Sequence, residues 1–170
     1  MRIPYYRIGN EYLRVKKKFS KKFDGIFKSG NFISGEHNIA FEKKISKLLN
    51  VKYVSGLANG TDALEIAMLA AGIQKGDEVI TATNSWASSI NSIINVGAKP
   101  ILVDVKDDFN IDCDQIERAI TKKTKAIMPV HLSGIPSNIT QIKKIAKKYN
   151  LIFIEDAAHA FGSRYKSGEM

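Results

Sequence analysis

From Val51 onward the chain alternates short, nearly all-apolar runs with stretches in which apolar residues recur every three or four positions. The first pattern belongs to strands covered on both faces, the second to helices with one buried stripe. The spacing predicts strands at Tyr53-Val54, Glu78–Thr81, Pro100–Val103, Ala126–Val130 and Leu151–Ile154, with helices near 61–71, 86–96, 112–120 and 137–149 between them. Gly72 and Gly97 each follow an apolar helical stretch, where a residue free to take positive φ ends a helix. Asp112 and Ser137 stand in N-cap positions. Alternation of this kind predicts an α/β fold, a mostly parallel sheet wound with helices on both faces. Ligands in such sheets bind beyond the carboxyl ends of the strands, so the segments after each strand are where chemistry is expected.

The first fifty residues read differently, as two basic amphipathic helices joined by Ser29-Gly30-Asn31-Phe32-Ile33-Ser34-Gly35. In the first helix Tyr12, Val15, Phe19, Phe23 and Phe27 recur at helical spacing, which predicts a core-facing stripe. Residues 1–50 are therefore expected to form an N-terminal helical segment, separate from 51–170. No internal repeat, low-complexity tract or linker interrupts either part.

Composition narrows the function classes. A chain of 170 residues with 44% hydrophobic residues can bury one real core. The net charge of +9 raises the question of a nucleic-acid or membrane partner. Much of the excess sits in Lys16–Lys18 with Lys21-Lys22, Lys43-Lys44 with Lys47, and Lys143-Lys144 with Lys147-Lys148, interleaved with apolar residues as solvated helix faces are. No recognition motif or aromatic-basic interleaving points to nucleic acid, and none is expected as a partner. An anionic substrate would gain from the same field. No stretch approaches the about 18 apolar residues of a membrane helix, and Met1-Arg2-Ile3-Pro4-Tyr5 lacks a secretory run, so a cytoplasmic protein without a membrane partner is expected. The single cysteine, Cys113, reads as a packing residue, and no metal site is expected.

Three strand ends carry unusual residues. Gly56-Leu57-Ala58-Asn59-Gly60-Thr61-Asp62-Ala63-Leu64 feeds a small-residue loop into an apolar helix. Backbone N–H groups at such a helix start suit a phosphate, with Thr61 adding a hydroxyl; the same residues also make an ordinary turn followed by an N-cap. Thr81-Ala82-Thr83-Asn84-Ser85-Trp86-Ala87-Ser88-Ser89 places the only tryptophan at a strand-to-helix turn, where the indole either stacks on a flat aromatic ligand or packs in the core. The last strand ends in Glu155-Asp156-Ala157-Ala158-His159-Ala160-Phe161-Gly162. A carboxylate leaving a buried strand needs a partner, which a protonated ring nitrogen would supply, with His159 reaching the ring edge. Alternatively, Asp156 caps the following turn and His159 is a hydrogen-bonded core histidine.

In order and spacing these segments resemble the DegT/DnrJ/EryC1/StrS aminotransferases. The likeness runs through Phe32-Ile33-Ser34-Gly35, Phe41-Glu42, Asn59–Leu64, Gly76-Asp77-Glu78-Val79-Ile80, Gly97-Ala98-Lys99-Pro100, Val103-Asp104-Val105, Pro129–Gly134 and Glu155–Ala160. The resemblance implies an aspartate aminotransferase-like (fold type I) large domain, incomplete here, over residues 51–170. It implies pyridoxal 5′-phosphate as cofactor, with Gly60 and Thr61 on its phosphate, Trp86 stacked on the ring, Asp156 on the ring nitrogen and His159 near the ring. It also implies an amino-acid donor such as glutamate, a nucleotide-linked keto-sugar as acceptor, and a homodimer. Ser133 stands where the family often has tyrosine, and Trp86-Ala87-Ser88-Ser89 matches only one branch. The family's Schiff-base lysine follows the aspartate segment in a Ser-x-x-x-x-Lys-like stretch, and the sequence closes at Lys166-Ser167-Gly168-Glu169-Met170 without it. Lys166 lies too close to Asp156 to replace it. The expectation is thus a fragment inactive by itself, a dimerisation or regulatory remnant, or a sugar dehydratase if histidine takes the lysine's place.

Overall fold

The computed structural model describes residues 8–33 and 35–164; Ser34, Lys166 and the terminal motifs around Met1 and Met170 lie outside the described residues. The chain divides into two compact units, one running to Gly56 and one from Leu57.

The first unit contains α1 (Ile8–Ser29) and α2 (Glu36–Leu49). Asn50 ends α2 in the left-handed conformation at φ 52°, with its N–H on the Ser46 carbonyl. The loop after α2 is fastened back by Glu42, whose Oε1 accepts from the Gly56 N–H at 2.8 Å and from Asn38 Nδ2 at 3.0 Å. The expected core stripe of α1 is not buried. Phe19, Phe23 and Phe27 are 55%, 49% and 58% exposed, and no residue of either helix is fully buried. The aromatics pack instead on one another, with ring centroids 5.9 Å apart for Phe19–Phe23, 4.7 Å for Phe23–Phe27 and 5.2 Å for Phe27–Phe32. Helical spacing reports an apolar stripe but not what covers it.

The second unit is an α/β layer structure. Its elements in order are α3 (Gly60–Ala70), β1 (Glu78–Ala82), α4 (Ala87–Asn95), β2 (Lys99–Val103), α5 (Cys113–Ala119), β3 (Thr124–Met128), α6 (Ile139–Tyr149) and β4 (Ile152–Phe153). The strands lie in the order β2-β1-β3-β4, and every pairing is parallel. Register sets Ile80 opposite Ile101 and Ile127, and Ala82 opposite Val103. β1 is interior and buried along its whole length. β2 pairs on one side only in the described sheet, which is why it tolerates Pro100.

Alternation along the strands splits the core in two. Ile80, Ala82, Val103 and Ile127 face Ile116 of α5 and Ile142 and Ile145 of α6. Val79, Ala126 and Met128 face Leu64 and Met68 of α3 and Ile93 of α4. Helices therefore cover both faces, as the apolar strands require. The lysines of α6 stand opposite its buried Ile139, Ile142, Ile145 and Ala146, so the expected solvated face exists there. No helix among the described residues is long and apolar enough to cross a membrane.

Local expectations are met in most places and corrected in a few. Gly72 and Gly97 take φ of 77° and 81° after α3 and α4. Asp112 caps α5, accepting from the Asp114 N–H at 3.0 Å. The cap of α6 is Asn138, not Ser137: Asn138 Oδ1 accepts from the Gln141 N–H at 3.1 Å, while Ser137 is buried in a polar network. Tyr53-Val54 joins no strand pairing among the described residues, and Tyr53 is 80% exposed. Two β-formers make no strand without a partner edge, because a strand's backbone groups are satisfied only by pairing. β3 stops at Met128, one residue before Pro129, which has no N–H to continue the ladder.

Candidate functional site

Adjacent strands β1 and β3 send the chain to opposite faces, β1 into α4 and β3 through a 3-10 turn at Leu132–Gly134 into α6. A crevice opens at such a switch point. Beyond these strand ends lies a cleft of about 360 Å³ lined by Gly60, Thr61, Leu64, Trp86, Ser88, Ser89, Asp156, Ala158 and His159. All five residues singled out by sequence, Gly60, Thr61, Trp86, Asp156 and His159, border this one cleft. Larger hollows on the first unit and between α5 and α6 contain none of them.

The wall at α3 starts with Asn59, whose Oδ1 accepts from the Asp62 N–H at 2.9 Å. The ordinary N-cap is thus present, but it leaves the N–H groups of Gly60 and Thr61 with no acceptor inside the helix. A Cβ added to Gly60 would meet nothing within 4 Å, so its absence enlarges the cleft without relieving any clash in the protein. Two amide donors, a hydroxyl and the positive end of an eleven-residue helix converge here.

Trp86 is the residue before α4 and is 77% exposed. Core packing is therefore excluded, and the indole presents a large apolar face to the cleft. Three residues later Ser89 is 1% exposed, and its N–H donates to the Trp86 carbonyl at 3.0 Å.

Asp156 is held through both backbone and side chain. Its N–H donates to the Pro129 carbonyl at 3.0 Å, and its own carbonyl accepts from the His131 N–H at 3.1 Å, extending the β3–β4 ladder as an isolated bridge. One carboxylate oxygen accepts from the Ala158 N–H at 3.2 Å, the turn-capping contact considered from sequence. The other accepts from Ser89 Oγ at 2.9 Å. An ionised carboxylate offers about four lone-pair positions, so two donors leave capacity for a further N–H from the cleft.

His159 is exposed, not a core histidine. Its Nδ1 accepts from the Ser133 N–H at 3.4 Å, which puts the proton of the neutral ring on Nε2. Ser133 holds φ of 54° inside the 3-10 turn to make this approach.

The core histidine is His131, which sequence reading passed over as part of a motif. Its Nδ1 accepts from the Ser137 N–H at 3.1 Å, leaving Nε2 to donate to Glu155 Oε1 at 3.1 Å. Ser137 Oγ continues to Asn110 Oδ1 at 3.1 Å. This network ties the 3-10 turn to the residue preceding Asp156. Ser89 was likewise missed, although its place one helical turn after the tryptophan was the available signal. Among the described residues lining the cleft none is a lysine, and Lys166 lies outside the described residues.

Known proteins share this fold and much of this sequence. The chain is 46% identical over 142 residues to GDP-perosamine synthase of Escherichia coli O157:H7, covering 83% of this chain and 38% of that protein. It is 37% identical over 165 residues to UDP-2-acetamido-2-deoxy-3-oxo-D-glucuronate aminotransferase of Pseudomonas aeruginosa, covering 96% of this chain and 46% of that protein. The structure of NtdA from Bacillus subtilis, solved with bound cofactor PMP, superposes with a TM-score of 0.89 at 37% identity, over 95% of this chain and 38% of that one. The chain thus spans less than half the length of these relatives. Its sheet and helices form part of the fold type I architecture of such aminotransferases. The model for the DegT/DnrJ/EryC1/StrS aminotransferase family matches residues 14–170, and the chain belongs to that family.

Proposed function

We propose that this chain supplies one side of a pyridoxal 5′-phosphate site in an enzyme that moves an amino group from an amino acid such as glutamate to a nucleotide-linked keto-sugar. The observation that carries the proposal is the convergence of an anchored carboxylate, an exposed indole and an open helix start on one cleft. Relatives named as a nucleotide-sugar aminotransferase and a perosamine synthase support the substrate class. When bound, the cofactor supplies an electron sink at its pyridinium ring. The residues divide the work of holding it. Gly60 and Thr61 take the phosphate at the helix N-terminus, Trp86 covers one face of the ring, and Asp156 accepts the ring N–H. His159 Nε2 is left to donate at the ring edge.

The whole active protein is proposed to be a cytoplasmic homodimer, with residues 51–170 as part of the larger cofactor domain. A reducing compartment suits the single free thiol of Cys113. The exposed aromatic row of α1 is larger than the scattered apolar residues of an ordinary surface and fits a second copy. Because no lysine is found among the described residues of the cleft, these 170 residues are proposed to bind the cofactor without turning it over.

The test uses the only tryptophan as its reporter. Titration with pyridoxal 5′-phosphate is expected to quench Trp86 emission saturably, and Asp156→Asn to weaken that binding at least about tenfold. Borohydride treatment is expected to leave no adduct on a specific lysine. Absence of quenching would refute the cofactor reading and leave a dimerisation piece. A specific adduct accompanied by transaminase turnover would refute the claim of inactivity.

A further inference from the structure

We propose that Ser89 is the positioning residue of this cleft, holding Asp156 and Trp86 in the arrangement a pyridinium ring requires; the inference rests on the cofactor reading above.

Ser89 hydrogen-bonds to both walls. Its N–H fixes the Trp86 carbonyl at 3.0 Å, and its hydroxyl reaches Asp156 Oδ2 at 2.9 Å. The partners are far apart in the chain, since Ser89 and Asp156 are separated by 67 positions. Ser89 sits in the first turn of α4, and its carbonyl also accepts from Ser92 Oγ at 3.0 Å, so its own position is determined by the helix. At 1% exposure, water does not compete for its hydroxyl.

The direction of the hydrogen bonds follows from proton counting. A hydroxyl has one proton, and an ionised carboxylate can only accept. The Ser89 proton therefore points to Asp156. The 2.7 Å contact between the Ser85 and Ser89 hydroxyls must then run from Ser85 to Ser89. The result is a short polarised chain, Ser85 to Ser89 to Asp156, with each donor reinforcing the next. Ser89 has no proton left for a ligand. It acts through Asp156 by keeping the carboxylate oriented and open on its cleft side.

Asp156 matters to the ligand through one atom, the ring nitrogen, so a positioning role predicts an effect confined to that atom. Binding is measured by Trp86 quenching for pyridoxal 5′-phosphate and for its 1-deaza analogue, which carries CH in place of the ring nitrogen. The 170-residue chain is compared with Ser89→Ala, Ser89→Thr and Asp156→Asn, with circular dichroism as the folding control. Ser89→Ala is expected to weaken the natural cofactor about tenfold, the loss of one hydrogen bond to a charged group, and to leave the deaza analogue unchanged. Ser89→Thr keeps the hydroxyl and is expected to restore the preference. If alanine unfolds the chain, Ser89→Cys, with similar volume and a weaker donor, carries the same expectation.

Three outcomes overturn the inference and are distinguishable. If Asp156→Asn loses the preference while Ser89→Ala keeps it, Ser89 is not a positioning residue and the cofactor reading stands. If Ser89→Ala weakens both ligands equally, its role is packing alone. If the chain binds neither ligand, or Asp156→Asn shows the same preference as the starting chain, the cofactor reading fails and the inference falls with it.

Discussion

Four protein hydrogen bonds hold Asp156, two through its backbone and two through its carboxylate. Freezing it this way costs conformational entropy, but it means a ligand meets a preformed acceptor. Thr61 and Gly60 border the cleft from the start of α3, so under the proposed cofactor reading phosphate binding and ring binding are separable at single residues. Thr61→Val is expected to weaken pyridoxal 5′-phosphate about three- to tenfold and to leave phosphate-free pyridoxal unaffected, a difference that parallel Trp86 titrations would resolve. The residue identities were legible beforehand because Trp86, Asp156 and the Asn59-Gly60-Thr61-Asp62 run are chemically conspicuous. Ser89 was not, since a serine among serines is marked only by its place one helical turn after Trp86, and its partner Asp156 lies 67 positions away.

Among the elements, caps and turns decide how accurately the cleft is presented. Asn59 anchors α3 and thereby aims the Gly60 and Thr61 amides; Asn59→Ala is expected to destabilise the chain by about 1 kcal/mol, read by chemical denaturation. Gly97 follows α4 at φ 81°, and a Cβ there would stand 3.2 Å from Lys75 Cβ and 3.3 Å from Lys75 Cα. Gly97→Ala therefore combines backbone strain with a clash and is expected to cost more than about 1 kcal/mol. At the start of α5, Nζ of Lys106 from the preceding connection lies 2.7 Å from Asp114 and 3.3 Å from Asp112. The bond to Lys106 holds the Asp114 carboxyl below its ordinary range, and the Gln115 amide, then the Asp114 backbone N–H and Lys106, do the same for Asp112. Asp114, followed by Asp112, raises the Lys106 ammonium above its own. Lowered carboxyls stabilise at pH above the ordinary carboxylate range and cease to do so as pH falls through their folded values; the raised amine loses its contribution as pH climbs through its own. The difference in thermal midpoint between the native chain and Lys106→Met is thus expected to be small and flat around neutrality, and to vanish in acid and in strong alkali. Helix and strand order was readable from periodicity, whereas the cap of α6 moved from Ser137 to Asn138 because a buried network claimed the serine.

On the scale of the whole molecule, one parallel sheet with helices on both faces carries the cleft, and β1 and β3 are its interior strands. Ile127 is fully buried against α5 and α6, and Ile127→Ala is expected to cost about 2–5 kcal/mol, measured by denaturant unfolding. Pattern and residue chemistry by themselves determined the layered α/β fold and made the strand-end residues conspicuous, because apolar periodicity and side-chain type are local properties; the family came from the resemblance of its motifs. Where those side chains would sit was a different matter. Only the tertiary structure left Trp86 facing the cleft and not the core, paired His131 with Glu155, left the α1 stripe uncovered and the Tyr53-Val54 run unpaired, and brought Ser89 to Asp156. Each of these depends on which distant backbone lies alongside, and a linear pattern records the need for a partner without recording the partner.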